Sequence, residues 1–215
     1  MKVRTVEQLY DRIAEDLSWR KKELSVFHGQ VRSADAHVRP ALLRASVALL
    51  YAHWEGFVKQ AVSLYLSYLS SQNLKYEQLR PEIAALALRN HINEFIATNQ
   101  SSIHARVVRQ VREDAGNRAR IPSRRDDVKT HSNLSFDRLE NILCSIGCDC
   151  IGYEQYRDLI DQELLASRNK IAHGEEEFIA LSEWNDLRTQ ILKILDSIAA
   201  QILNSATNRS YLAPT

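Results

Sequence analysis

The sequence predicts an all-α helical bundle carrying one basic insertion. Two observations carry this. Only six glycines and four prolines occur in 215 residues, while Leu, Ala, Ile, Arg, Glu and Gln, which suit helices better than strands, are abundant. Apolar residues recur at three- and four-residue spacing in one segment after another.

The first helix is expected over roughly residues 6–28. Thr5 lies three residues before Gln8, the spacing of a capping box. Val6, Leu9, Tyr10, Ile13, Leu17, Leu24 and Phe27 form its stripe, and Trp19 falls off it. Residues 29–39 read as a polar connection. Pro40 suits a first helical position. From Ala41 to about Ser70 the chain is apolar on several sides, which marks a central helix packed by several neighbours. Gly56 within it allows another helix a close approach, at about 1 kcal/mol relative to alanine. After a polar break, Pro81 opens a shorter helix over 82–97.

Residues 98–131 differ. Eight Arg and Lys against four Asp and Glu give a local charge of about +4. Gly116 to Thr130 has almost no apolar residues and reads as an exposed loop. Ser135 is placed to cap a helix from Phe136 to Ile146, closed by Gly147. The next helix is expected from Tyr153 to His173, ended by Gly174. Ser182 then caps a last helix over 183–204. These elements make one domain over residues 1–204, with a polar tail, 205–215, that is expected to fray.

Composition excludes some classes. The 28 basic and 27 acidic residues leave a formal charge of +1, so only local clustering can speak for nucleic acid. No signal peptide is recognisable, and the most apolar segment, Ala41 to Leu50, is too short to span a bilayer. The three cysteines, Cys144, Cys148 and Cys150, do not make a disulfide framework. Their spacing, even with His131, does not match a zinc site. The expectation is a cytoplasmic protein, with no membrane partner, no metal and no cofactor.

The chemistry is placed in Ser167-Arg168-Asn169-Lys170-Ile171-Ala172-His173-Gly174. On a helix, Asn169 and His173 are four apart and share a side, whereas Arg168 and His173 are five apart, about 140° around the axis. Arg168 must therefore reach around, or be completed by a second copy of the helix. Histidine can take a proton from a ribose 2′-OH or give one to a leaving 5′-oxygen. An arginine fork fits a phosphate and stabilises the charge that builds on it. An amide can orient either group. The blander alternative pairs Arg168 with Glu163 or Glu175 and leaves His173 to cap the helix.

Arg168 to Gly174, late in an all-α domain of this size, resembles the Arg-x4–6-His motif of HEPN domains (higher eukaryotes and prokaryotes nucleotide-binding). Tyr51-Ala52-His53-Trp54-Glu55-Gly56-Phe57-Val58-Lys59 and Asn133-Leu134-Ser135-Phe136 look like one branch, the RiboL-PSP-HEPN-like, MAE-type nucleases. The resemblance covers about residues 40–204. It implies metal-independent endoribonuclease activity at a composite site formed by a homodimer. His173 would act as base or acid, Arg168 would hold the scissile phosphate and Asn169 would position them, giving a 2′,3′-cyclic phosphate and a 5′-OH. It also implies a toxin or phage-defence role with an antitoxin or defence partner protein. Other HEPN domains are non-catalytic and bind RNA, nucleotide or protein, which is the alternative. The HepT-type branch carries a tyrosine two residues after the histidine. Glu175 stands there instead, so control by modification of that tyrosine is not implied.

Glu55 sits on a largely apolar helix, where an unpaired carboxylate is costly. It is expected either to pair with Arg168 and orient the site or to reach solvent beside Lys59. Arg120, Arg124 and Arg125 are candidates for phosphate contacts with RNA.

Overall fold

The longest helix is also the most enclosed. In this computed structural model, which describes residues 2–124, 127–128, 130 and 133–214, α1 runs over Val6–Ser33 and α2 over Arg39–Ser71. Leu43, Leu50, Trp54, Phe57, Val58, Ala61, Tyr65 and Leu69 on α2 are all buried, and they point to several sides. The apolar arc read from the sequence thus becomes a helix covered by α1, by α7 (Ala166–Ala172) and by α8 (Leu181–Thr207). The remaining helices are α3 (Pro81–Ala87), α4 (Arg89–Ile96), α5 (Ser101–Asp114) and α6 (Phe136–Ser145). The described residues form an all-α bundle, with isolated bridges only between Lys75 and Arg118 and between Leu79 and Leu212.

Several boundaries move. α1 starts as expected, with the Thr5 hydroxyl accepting from the Gln8 amide at 3.2 Å, but it runs on through Gly29 to Ser33. The connection to α2 is correspondingly short. The helix expected over 82–97 is two helices, because the chain bends at Leu88. Ser135 stands at the α6 N-terminus without a side-chain cap. Asp161 does that work, its Oδ1 accepting from the Phe136 amide at 2.8 Å. Ala180, not Ser182, precedes α8, and Glu183 accepts from its amide at 2.8 Å.

The basic stretch is not simply a loop. Residues 101–114 are helical, and the segment after them is pinned by buried Ala119, Ile121, Val128 and Leu134. The Ala119 amide donates to the Leu74 carbonyl at 2.8 Å. A few apolar side chains at wide spacing suffice to anchor a polar segment, and no periodicity announces them. Nor does the tail fray as expected. Tyr211 is buried with its ring edge-on to Tyr68, Ser205 shares a 2.7 Å hydrogen bond with Tyr65, and the Ala213 amide donates to the Gln78 carbonyl. The three cysteines make no disulfide framework, but Cys144 and Cys150 form one disulfide with Cα atoms 5.7 Å apart. Burial pushes the remaining thiol, Cys148, up to about 12. No helix among the described residues is long and apolar enough to cross a membrane. His131 lies outside the described residues.

Gly56 admits a side chain rather than a helix backbone. The Arg20 guanidinium lies across it, and a Cβ at Gly56 would stand 2.8 Å from Arg20 Nη1. Arg20 is buried and is held by Asp16 at 2.7 Å. Its Nη1 is 3.4 Å from His53 Nδ1. The Glu23 carboxylate lies 2.7 Å from the other ring nitrogen, and Trp19 packs edge-on against His53. Gly56→Ala gains roughly 1 kcal/mol of helix propensity but must dislodge an arginine fixed at both ends. Urea denaturation should therefore show a net loss of stability; a more stable variant would mean that Arg20 moves freely. Burial, with Arg20 adding to it and Glu23 opposing, holds the His53 pKa below 6.5. The unfolded chain then binds the proton more readily than the folded one. Stability should be full above the unfolded value and fall as pH drops through about 6.5 toward the lower folded value. His53→Gln should flatten that slope in pH-dependent thermal melts.

Candidate functional site

Two apolar pairs, Leu159-Ile160 and Leu164-Leu165, are buried and stand five residues apart. An α-helix cannot keep both pairs on one side, but i to i+5 bonding can. The chain accordingly forms a π-helical segment over Leu159–Leu165, whose last turn has the Ala166 amide donating to the Asp161 carbonyl. Residues 151–156 form a 3₁₀ turn. The single helix expected from Tyr153 to His173 is therefore three pieces, and α7 enters with its register rotated.

That rotation sets the motif. Arg168 and Asn169, expected at the flank and on the outer side, are both half-buried, whereas His173 is exposed. The Arg168 guanidinium sits 4.4 Å over the ring of Tyr51 on α2, and its Nη1 donates to Asn169 Oδ1 at 2.8 Å. Such a cation–π contact fixes the plane of the fork without neutralising its charge. His173 follows Asn169 by one turn, its amide donating to the Asn169 carbonyl at 3.0 Å. Gly174 then closes α7 at φ +78, and the Glu175 amide returns to the Lys170 carbonyl. The structure therefore brings Arg168 and Asn169 into contact and leaves the imidazole one turn on, in solvent at the helix end.

Glu55 does not pair with Arg168. Its Oε2 accepts from the Tyr51 hydroxyl at 2.9 Å, and its Oε1 accepts from the Thr130 hydroxyl at 2.5 Å. The same Tyr51 oxygen accepts from the Leu134 amide at 2.7 Å. Burial drives the Tyr51 pKa well above the usual phenol value, and the Glu55 carboxylate adds to this. Glu55 thus acts on Arg168 at one remove, by anchoring the ring beneath it. Tyr51, Thr130 and Leu134 escape a reading made for charged groups. The signal available was Tyr51 and Glu55 four apart on one helix face. Neither acidic partner proposed for Arg168, Glu163 or Glu175, pairs with it. Glu177 instead holds Lys170 at 2.9 Å and accepts from Ser167 at 3.1 Å, and the Lys170 contact keeps the Glu177 carboxyl below its usual range.

The candidate arginines of the insertion lie elsewhere. Arg120 is exposed and lines a polar cleft of about 790 Å³ with Ser70, Tyr76, His91 and Arg118. Ser70 is about 28 Å along α2 from Tyr51, at 1.5 Å per residue. Arg124 is exposed, its amide donating to Asp127 Oδ2. Arg125 lies outside the described residues. Among the described residues of the insertion, Thr130 at its far end reaches the residues around Arg168.

A family model of MAE-type HEPN domains matches residues 9–211. No curated protein and no solved structure matches the chain.

Tyr51→Phe keeps the ring under Arg168 but strands the Leu134 amide and one Glu55 oxygen. Leaving a buried donor unpaired costs about 1–3 kcal/mol. Chemical denaturation should show a loss of that size, and an unchanged midpoint would mean that the hydroxyl anchors nothing.

Proposed function

The chain belongs to the MAE-type HEPN family, and we propose that it is a metal-independent endoribonuclease acting at a composite site formed by two copies. The family is consistent with a nuclease or RNA-binding role. The observation that carries the finer reading is the Arg168 fork, held flat by Tyr51 and joined to Asn169, one helical turn before the exposed His173.

Cleavage by the ribose 2′-OH needs a group to accept its proton, a group to deliver one to the departing 5′-oxygen, and positive charge at the phosphate between them. Arg168 has donors left after its bond to Asn169 and carries the charge for the phosphate. Asn169 fixes the direction of the fork. One His173 serves as base or acid, but two imidazoles are needed when both transfers belong to one displacement. A second copy brought against the end of α7 supplies the other. The products are a 2′,3′-cyclic phosphate and a 5′-OH. In this reading the protein is a toxin or phage-defence effector, restrained or triggered by a partner protein.

Purified protein should cleave RNA in EDTA, and His173→Ala should lower the rate by about 10²–10⁴-fold while leaving the folded helix signal intact. Cleavage that survives the substitution unchanged would falsify the assignment. RNA binding without turnover in the wild type would favour a non-catalytic module. A dimer whose two α7 ends lie far apart would count against the composite site.

A further inference from the structure

Five buried polar side-chain atoms near one another lack a hydrogen-bond partner among the described residues: His28 Nδ1, Arg39 Nε, Trp184 Nε1, Asn185 Oδ1 and Arg188 Nε. These five residues share one end of the bundle. Lys21 on α1 pairs with Asp196 on α8, so the two helices run antiparallel. Seven residues further along α1, His28 faces Arg188 of α8 and Arg32 of its own helix. α1 ends at Ser33, and Arg39 opens α2 beside it, donating to the Ala34 carbonyl at 2.7 Å.

The chemistry there is lopsided. Trp184 Nε1 and both arginine Nε atoms can only donate. His28, Arg32 and Arg188 are positive or can become so, and no carboxylate pairs with any of them among the described residues. The α1 C-terminal dipole accounts for Arg32 but not for Arg188, whose Nε is buried and whose charge burial disfavours. Burial and the two arginines likewise hold His28 below the ordinary imidazole value. A folded protein bears like charges and unpaired donors together at a cost. Asn185 Oδ1 is an acceptor and the buried nitrogens are out of a ligand's reach, but the accessible parts of His28, Arg32 and Arg188 gather positive charge that an anion with several acceptor oxygens would offset.

We propose that His28, Arg32 and Arg188 form a phosphate-binding site on the α1–α8 seam, taking either free phosphate or a backbone phosphate of a polynucleotide. The site uses neither Arg168 nor His173, and it stands whether or not the chain cuts RNA.

The test uses the full chain carrying His173→Ala, so that RNA stays whole. Thermal melts and the His28 imidazole resonance are followed with inorganic phosphate, with a short single-stranded RNA, and with chloride at matched ionic strength. Phosphate or RNA should raise the melting temperature above the chloride control and shift the His28 resonance. Arg188→Gln should weaken that binding roughly tenfold or more, the loss of one charge-assisted hydrogen bond. Without ligand it should be at least as stable as its parent, since a like charge has gone. Arg32→Gln, at an exposed position, gives the same reading should Arg188→Gln not fold. A response to RNA alone, lost in the variants, assigns the site to a polynucleotide; a response to phosphate assigns it to the free anion. The proposal fails if neither ligand acts beyond chloride, if the variants respond as fully as the parent, or if Arg188→Gln folds but is less stable without ligand.

Discussion

The contact between the Tyr51 ring and the Arg168 guanidinium organises the site. An arginine side chain has several rotatable bonds, and a useful fork needs them frozen. A carboxylate would freeze them but would also cancel the charge that a phosphate needs. An aromatic face does the first without the second. The ring is in turn fixed by its hydroxyl, which accepts from the Leu134 amide and donates to Glu55. Glu55 is completed by Thr130. The Glu55 carboxylate is thus kept one residue away from the fork, where it orients but does not neutralise.

That arrangement depends on α2 having two unlike polar faces. His53 turns toward α1 and the buried Arg20, while Tyr51 and Glu55 turn toward α7 and the end of the insertion. Trp54 between them is fully buried, its indole donating to the Leu134 carbonyl at 3.2 Å. Leu134 is therefore held by both its amide and its carbonyl to α2. The segment that leads into α6 has little choice of path, and the polar insertion is returned to the core at the point where the site needs Thr130.

Much of this was legible in the residues, and what was not has identifiable causes. The helices with long apolar stripes and the enclosed α2 follow from spacing, because a 3.6-residue period is visible in a list of letters, whereas the Arg168–His173 stretch stands out through its residue types and its resemblance to the HEPN motif. The π-helical turn is hidden in the sequence because Ile160 and Leu164, four apart, fit an ordinary amphipathic stripe, and only Leu159 and Leu165 fall outside it. The consequence was specific: Arg168 was expected at a flank, and the rotated register puts it on Tyr51. Glu55 is expected to pair with Arg168 or to reach solvent beside Lys59, but its partners are the neutral hydroxyls of Tyr51 and Thr130, which charge counting does not find. Thr130 and Ser205 bond to residues 75 and 140 positions away, separations at which local pattern is silent.

The electrostatics around α7 limit how a polyanion can reach the motif. Along one flank, Glu163, Glu177, Glu183 and Asp186 line a cleft of about 520 Å³ with Ser167 and Gln190. Burial and the neighbouring acids hold the Glu163 carboxyl above its usual range, the sign of a site already crowded with negative charge. An RNA strand bound at Arg168 would be repelled from that flank. The α7 C-terminus, where His173 is exposed and Gly174 turns the chain away, would be the other approach, although Glu175 and Glu176 stand just beyond it. A second copy must also approach from that end if its imidazole is to reach the same phosphate. On the proposed reading, the acidic flank and the exposed helix end would therefore set one geometry for two events, strand entry and pairing of the copies, and each would have to leave room for the other.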